Sequence, residues 1–191
     1  DAAEKRCGDF FTECPMPMCF SAVAYKFQRT CFKEKRMECY LKKNNLGSLE
    51  DYIKHTKDWS VLDGVLSFDF NKKEITCFAT VDAESVFYES EYDGIYSYTG
   101  FEFIAQACGV YYGLESRLVY NRPPKFGFIL RVNNLECTEM IIPTGKTTIV
   151  YAKESLRDGL FAYFDGEVYV DDRLISKATL MLMEADSEFK L

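Results

Sequence analysis

The amino-acid sequence predicts an α+β fold in which a curved antiparallel β-sheet wraps around one long central α-helix. Three observations predict it. Apolar and polar residues alternate through several short segments, as strands with one buried face require. One stretch near the middle of the chain is apolar nearly all round over helical length, and such a helix must be covered on most sides. The elements come in the order two strands, that helix, then four strands, so a curved sheet is the economical cover. Aromatic residues make up 16% of the 191-residue chain, with 13 Tyr and 16 Phe, which also favours strands.

Asn44-Asn45-Leu46-Gly47-Ser48 is a turn-rich junction, and Ser48 offers an N-cap for a short helix over residues 49–55 with Glu50 and Asp51 in its first turn. Residues 61–70 read as a strand, with Leu62, Leu66, Phe68 and Phe70 on a period of two. Asn71-Lys72-Lys73 turns the chain, and Ile75, Cys77, Ala79 and Val81 alternate through a second strand. Residues 85–98 read as an irregular aromatic loop containing Asp93-Gly94. The central helix is expected over 99–118, where Ala105, Ala107, Cys108, Gly109 and Gly113 suit close contact with a sheet, and Asn121-Arg122-Pro123-Pro124 ends it. Four strands follow over about 126–140, 147–155, 160–170 and 174–184. The first is long enough to need a bend near Asn133-Asn134, and the last three form a meander.

The formal charge of −7 is unevenly spread. Residues 1–43 carry nine Lys/Arg against six Asp/Glu, whereas 44–191 carry fourteen against twenty-four. Five of the eight Cys lie between Cys7 and Cys39. The reading is a Cys-rich leader of uncertain origin, 1–43, ahead of one domain, 44–191. Met37 is a candidate natural first residue. A body at −10 is poorly suited to nonspecific nucleic-acid binding, and no apolar run approaches the ~18–20 residues of a membrane helix. Cys14–Tyr25 is uncharged, but Asp9 and Glu13 precede it and two prolines interrupt it, which argues against a secretory signal and for a cytoplasmic protein. The N-terminal Cys form no C-x-x-C pair, and the only histidine, His55, lies outside them, so neither a metal nor a cofactor is expected. No G-x-S-x-G, G-x-G-x-x-G or P-loop pattern is present, which counts against a hydrolase elbow or a nucleotide site.

Glu102 is the informative anomaly. It lies between Phe101 and Phe103 in the first turn of the most apolar helix, where an unpaired carboxylate is costly to ionise and suits a general acid. The alternative is an acid that merely profits from the helix N-terminus. Gln106, one turn on, shares its face. Arg117, Arg122, Lys125 and Arg131 fall in a fifteen-residue window without Asp or Glu. In an acidic body they make the one candidate anion-docking surface, or a solvated helix end whose cations complement the dipole.

The string Gly100-Phe-Glu-Phe-Ile-Ala-Gln-Ala-Cys-Gly109 and the order of elements resemble the hotdog-fold 3-hydroxyacyl-acyl-carrier-protein dehydratases, most nearly the FabZ-like branch called ApeP, associated with aryl polyene synthesis. A "GxEYxAQ" helix start is matched by Gly100, Glu102, Ala105 and Gln106. An "LPH...LLD" motif is matched in part by Ile53, His55, Leu62 and Asp63, and a "GFLL" strand start by Gly127, Phe128, Ile129 and Leu130. The resemblance covers roughly 49–184. Lys54 stands where a proline is expected, and the loop over 86–98 lacks the histidine that housekeeping dehydratases carry there. The resemblance implies dehydration of an acyl-carrier-protein-linked 3-hydroxyacyl thioester to an enoyl thioester, as in fatty-acid or polyene-type biosynthesis, in a site between two hotdog protomers. It implies Glu102 as acid and His55 as base, with Gln106 orienting Glu102. Backbone N–H groups at Gly100 and Phe101 would serve a developing oxyanion, and Arg117, Arg122, Lys125 and Arg131 would dock the carrier protein. A hotdog acyl thioesterase and a non-catalytic partner subunit are the alternatives, and the substrate is either carrier-protein or coenzyme A linked.

Overall fold

The computed structural model describes residues 39–53 and 59–185, all within one compact unit, Glu38–Leu191. Met37, with the rest of 1–38, and His55 lie outside the described residues. In chain order the elements are a helical turn α1 (Tyr40–Lys43), strands β1 (Gly64–Asp69), β2 (Glu74–Thr80), β3 (Tyr88–Glu89) and β4 (Gly94–Tyr96), helix α2 (Gly100–Leu118), then β5 (Phe126–Cys137), β6 (Ile141–Pro143), β7 (Thr147–Asp158), β8 (Phe161–Val170) and β9 (Arg173–Ala185). Six strands pair antiparallel in the order β1-β2-β7-β8-β9-β5, and β3-β4-β6 form a small second sheet.

Strand alternation puts one set of side chains from the large sheet under α2. Cys77, Val150, Phe164 and Leu180 come from four successive strands and are fully buried. On the helix, Ile104, Ala107, Cys108, Tyr111 and Leu114 answer them, each without solvent exposure. The sheet can close this tightly because Gly166 of β8 lies beneath Ile104: a Cβ there would sit 2.2 Å from the Ile104 Cγ2. The hotdog arrangement thus follows from an all-round apolar helix and a sheet with a gap for it.

The structure also differs from the sequence reading in local places, each with a physical cause. The short helix expected over 49–55 is a 3-10 turn, Leu49–Asp51, closed by a reciprocal cap in which the Ser48 N–H donates to Asp51 Oδ2 at 2.8 Å. That donor holds the Asp51 carboxyl below its ordinary range. Strand β1 carries a bulge at Leu66, between the pairs Val65–Cys77 and Ser67–Thr76. The extra residue shifts the alternation, so both Val65 and Leu66 are buried. The aromatic loop contains the two short strands β3 and β4 and runs through a 3-10 turn, Ser97–Thr99, into α2. The long strand expected over 126–140 ends at Cys137, and β6 leaves to join the small sheet. Its expected bend is present: Asn134 adopts φ +50°, and the register with β9 shifts between Asn133 and Glu136. Upstream, Leu41 of α1 is fully buried in the same core.

Candidate active site

One face of α2 opens onto a cavity of about 390 Å³. Glu102, Ala105, Gly109 and Tyr112 line it, spaced three, four and three residues apart, which keeps them on one side of the helix. Phe128 and Ile129 of β5 and Leu182 and Met183 of β9 form an apolar wall, joined by the Lys125–Glu184 ion pair at 3.8 Å. Tyr52 and Ile53 close another side. They lie against the helix because residue 113 is glycine: a Cβ there would stand 2.0 Å from the Tyr52 carbonyl oxygen. The next residues, 54–58, contain His55 and fall outside the described residues.

Gln106 joins the helix to the segment that enters β1. Its side chain is 1% exposed, and its Oε1 accepts from the Val61 N–H at 2.9 Å. Its Nε2 donates to the Trp59 carbonyl at 2.8 Å and to Glu102 Oε1 at 2.9 Å. The first two contacts fix the amide's orientation, so the N–H presented to Glu102 is fixed too. The carboxyl is half-buried and hydrogen-bonded, and it faces the cavity rather than the core.

Gly100 and Phe101 do not line this cavity. Gly100 is buried against Ser176 of β9, and its N–H donates to the Ser97 carbonyl of the preceding 3-10 turn. Phe101 packs half-buried against the core. The four cations divide. Arg117 and Arg131 are exposed, Arg117 with its guanidinium 5.6 Å from the Tyr52 ring centre. Arg122 and Lys125 reach Glu184 at 3.4 and 3.8 Å, so the fold supplies from β9 an acid that the sequence window lacks.

Tyr112 was not foreseen as a site residue, although its spacing of ten from Glu102 places it on the same helical face. Its surroundings come from strands remote in sequence. The Arg157 guanidinium lies 4.7 Å from its ring centre, and Phe164 meets it edge to face at 5.3 Å. Arg157 is held by Glu115 at 2.8 Å and by Glu154 at 2.8 Å from Nε, and Lys73 also reaches Glu154 at 2.8 Å. Burial pulls the Arg157 value down, but its hydrogen bonds to Glu154 and Glu115 more than reverse this. Burial pushes the Tyr112 phenol well above the ordinary tyrosine range. Among the described residues, no group of three or more His, Cys, Asp or Glu is arranged to hold a metal ion.

A wrapped helix with a carboxyl at its start, facing a cavity bordered by an edge strand, agrees with one protein family over most of the chain. The family model described as ApeP dehydratase matches residues 47–190. The chain belongs to the ApeP-like dehydratase family. It is accordingly a hotdog-fold dehydratase, a lyase. Among solved structures, it is similar to the dehydratase heterocomplex ApeI:P from Xenorhabdus doucetiae, with a TM-score of 0.67 at 20% identity, covering 74% of this chain and 93% of that one. The E. coli PaaI protein from the phenylacetic acid degradation operon matches with a TM-score of 0.46 at 11% identity, over 64% of this chain and 78% of its own. A hypothetical thioesterase from Streptococcus pneumoniae TIGR4, solved with coenzyme A, matches at 0.48 and 11% identity, over 76% and 96%. No curated protein matches in sequence. No described helix is long and apolar enough to cross a membrane.

Proposed function

We propose that this ApeP-like chain removes water from 3-hydroxyacyl thioesters carried on acyl carrier protein, giving enoyl thioesters in a fatty-acid or polyene-type pathway of the cytoplasm. The observation that carries the reading is Glu102, held by the buried Gln106 amide at 2.9 Å and facing the cavity. In the reaction a base removes the α-proton, electrons move toward the thioester carbonyl, and an acid protonates the departing 3-hydroxyl. Glu102 is the acid. The Gln106 N–H fixes which carboxyl oxygen faces inward, and the other can carry the proton to the leaving oxygen. His55 is the base, carried by the segment that follows Tyr52 and Ile53. Phe101 does not line the cavity, so the oxyanion role implied for its N–H requires a thioester carbonyl that reaches past Glu102 to the helix start. Exposed Arg117 and Arg131, with Arg122 and Lys125 partly neutralised by Glu184, dock the acidic carrier. The domain reading goes with it, a hotdog body over 44–191 behind a leader over 1–43, with the boundary moved upstream of α1 because Leu41 packs in the body's core.

A second hotdog subunit completes the site in this reading. Strand β5 is a twelve-residue edge strand, and its Ile129, Leu130 and Leu135 are 36%, 47% and 39% exposed. A long apolar edge calls for a pairing strand. The solved relative named as a heterocomplex favours a different hotdog chain over a second copy. Incubating 3-hydroxyacyl carrier protein with this chain, alone and with a second hotdog subunit, tests the proposal by mass analysis for loss of water. Glu102→Gln is expected to abolish dehydration while leaving the fold intact. Wild-type-like turnover in that variant, or free thiol as the only product, contradicts the proposal. Full activity in His55→Ala moves the base elsewhere.

A further inference from the structure

The helix face that starts at Glu102 is a groove with an end. Ala105 and Gly109 leave its floor low, and Tyr112 is the first bulky side chain to stand up from it. Ten residues separate Glu102 from Tyr112, about 15 Å along the axis at 1.5 Å per residue. A helical side chain slants toward the N-terminus, so the ring covers the turn before it and leaves just under two turns, about 10 Å, of open groove. The ring is packed on three sides. Arg157 lies over it at 4.7 Å, Phe164 meets it edge-on at 5.3 Å with planes at 90°, and Tyr111 flanks it at 6.0 Å. Arg157 is itself immobilised between Glu115 and Glu154, and the Glu154 side chain is fully buried.

We propose that Tyr112 sets the length of the acyl group this site accepts, with Arg157 as the positioning residue that keeps its ring across the end of the groove. The inference rests on the reading that the cavity takes an acyl thioester, and it adds which side chain measures the acyl tail. The tail is assigned here, rather than the carrier's pantetheine arm, because of the wall. Phe128, Ile129, Leu182 and Met183 give it apolar side chains along which an acyl chain gains by burial, and the charged Lys125 and Glu184 beside them are paired with each other. An extended carbon chain advances about 1.3 Å per atom for a bond of about 1.5 Å, so roughly eight carbons fit between Glu102 and the ring.

The test measures binding separately from turnover. A graded series of straight-chain 3-hydroxyacyl pantetheine amides, which lack the cleavable thioester, is titrated calorimetrically against the full chain with its partner subunit. Wild type is expected to gain affinity with each methylene up to about eight carbons and then stop. Tyr112→Ala is expected to carry the gain onward, about fourfold in Kd per added methylene, equivalent to ~0.8 kcal/mol. Tyr112→Phe keeps the ring and the wild-type limit. Arg157→Leu frees the ring without removing it, so longer chains gain affinity while short chains bind as before, a selectivity that mere loss of stability does not produce. Tyr112→Leu serves as the milder truncation if the alanine variant fails to fold. The same limit in wild type and in a folded truncation overturns the proposal. So does a profile that ignores acyl length but responds when the pantetheine arm is shortened. If the length profile holds and no thioester is dehydrated, the acyl ruler stands and the catalytic reading falls. If dehydration holds and the profile is flat, the reverse is true.

Discussion

Gly113→Ala is a small change with a large expected consequence, because the space beside Gly113 is already occupied by backbone. The new Cβ would stand 2.0 Å from the Tyr52 carbonyl oxygen, 2.8 Å from its carbon and 2.9 Å from its Cα. Ordinary contact begins at 3.4 Å, so the carbonyl must retreat about 1.4 Å, and no side-chain rotation can relieve it. Overpacking of this kind costs about 1–3 kcal/mol. Replacing a mid-helix glycine returns about 0.5–1 kcal/mol in helix propensity. The net expectation is a loss centred on about 1.25 kcal/mol, a fall in Tm of roughly 2–5 °C for a chain of this size. Gly109→Ala is the control, one turn earlier on the same helix. Its Cβ would meet only the Ile53 Cγ2 at 3.6 Å, an ordinary contact. That variant is expected to gain about 0.5–1 kcal/mol and to raise Tm by a few degrees. Urea and thermal unfolding followed by circular dichroism give both values. A Gly113→Ala protein as stable as wild type would show that the Tyr52–Ile53 segment does not rest on the helix as described, and the closed side of the cavity would go with it.

Three further outcomes follow from the same structure. Gln106→Leu strips the Val61 N–H and the Trp59 carbonyl of partners near the protein interior, so a loss of about 1–3 kcal/mol is expected in urea unfolding; an unchanged midpoint would mean that water serves those groups equally well. Glu154→Ala leaves Arg157 and Lys73 without their shared carboxylate, and since both cations are partly exposed the expected loss is about 2–3 kcal/mol, below the range for a wholly buried pair. Equal stability of the Glu154→Ala and Glu154→Leu variants with wild type would contradict it. Burial raises the phenols of Tyr111, Tyr112 and Tyr151 above the ordinary value near 10, so the folded chain holds protons there that the unfolded chain releases. Stability from these groups is full below about pH 10 and declines as pH rises above it. Phenolate absorbance should show some of the 13 tyrosines titrating only with unfolding; complete titration near pH 10 in a folded protein would contradict the burial.

The fold was legible in the sequence because its strongest signal, an apolar helix without a polar face, admits few solutions. Strand β8 keeps strict alternation, and at β2 the expected inward set, Ile75, Cys77, Ala79 and Val81, is buried. Legibility failed where one residue changes parity. The bulge at Leu66 buries Val65 as well, and no local pattern marks it. Within the site, Glu102 stood out by its aromatic flanks and Gln106 by its spacing, since both lie on one element. The clamp of Gln106 on Trp59 and Val61 spans more than forty residues of chain, and so does the Arg157 contact with Tyr112. The basic window looked acid-free because Glu184 arrives through the pairing of Gly127 with Glu184, a tertiary fact.

One measurement tests Glu102 as the acid most directly: mass analysis of 3-hydroxyacyl carrier protein after incubation with the full chain and a second hotdog subunit, wild type beside Glu102→Gln. Removal of a general acid typically costs 10²–10⁴-fold, so the enoyl thioester should accumulate with wild type and be lost in a variant that melts at the wild-type temperature. Equal dehydration by the two proteins, or thiol release in place of loss of water, would contradict it.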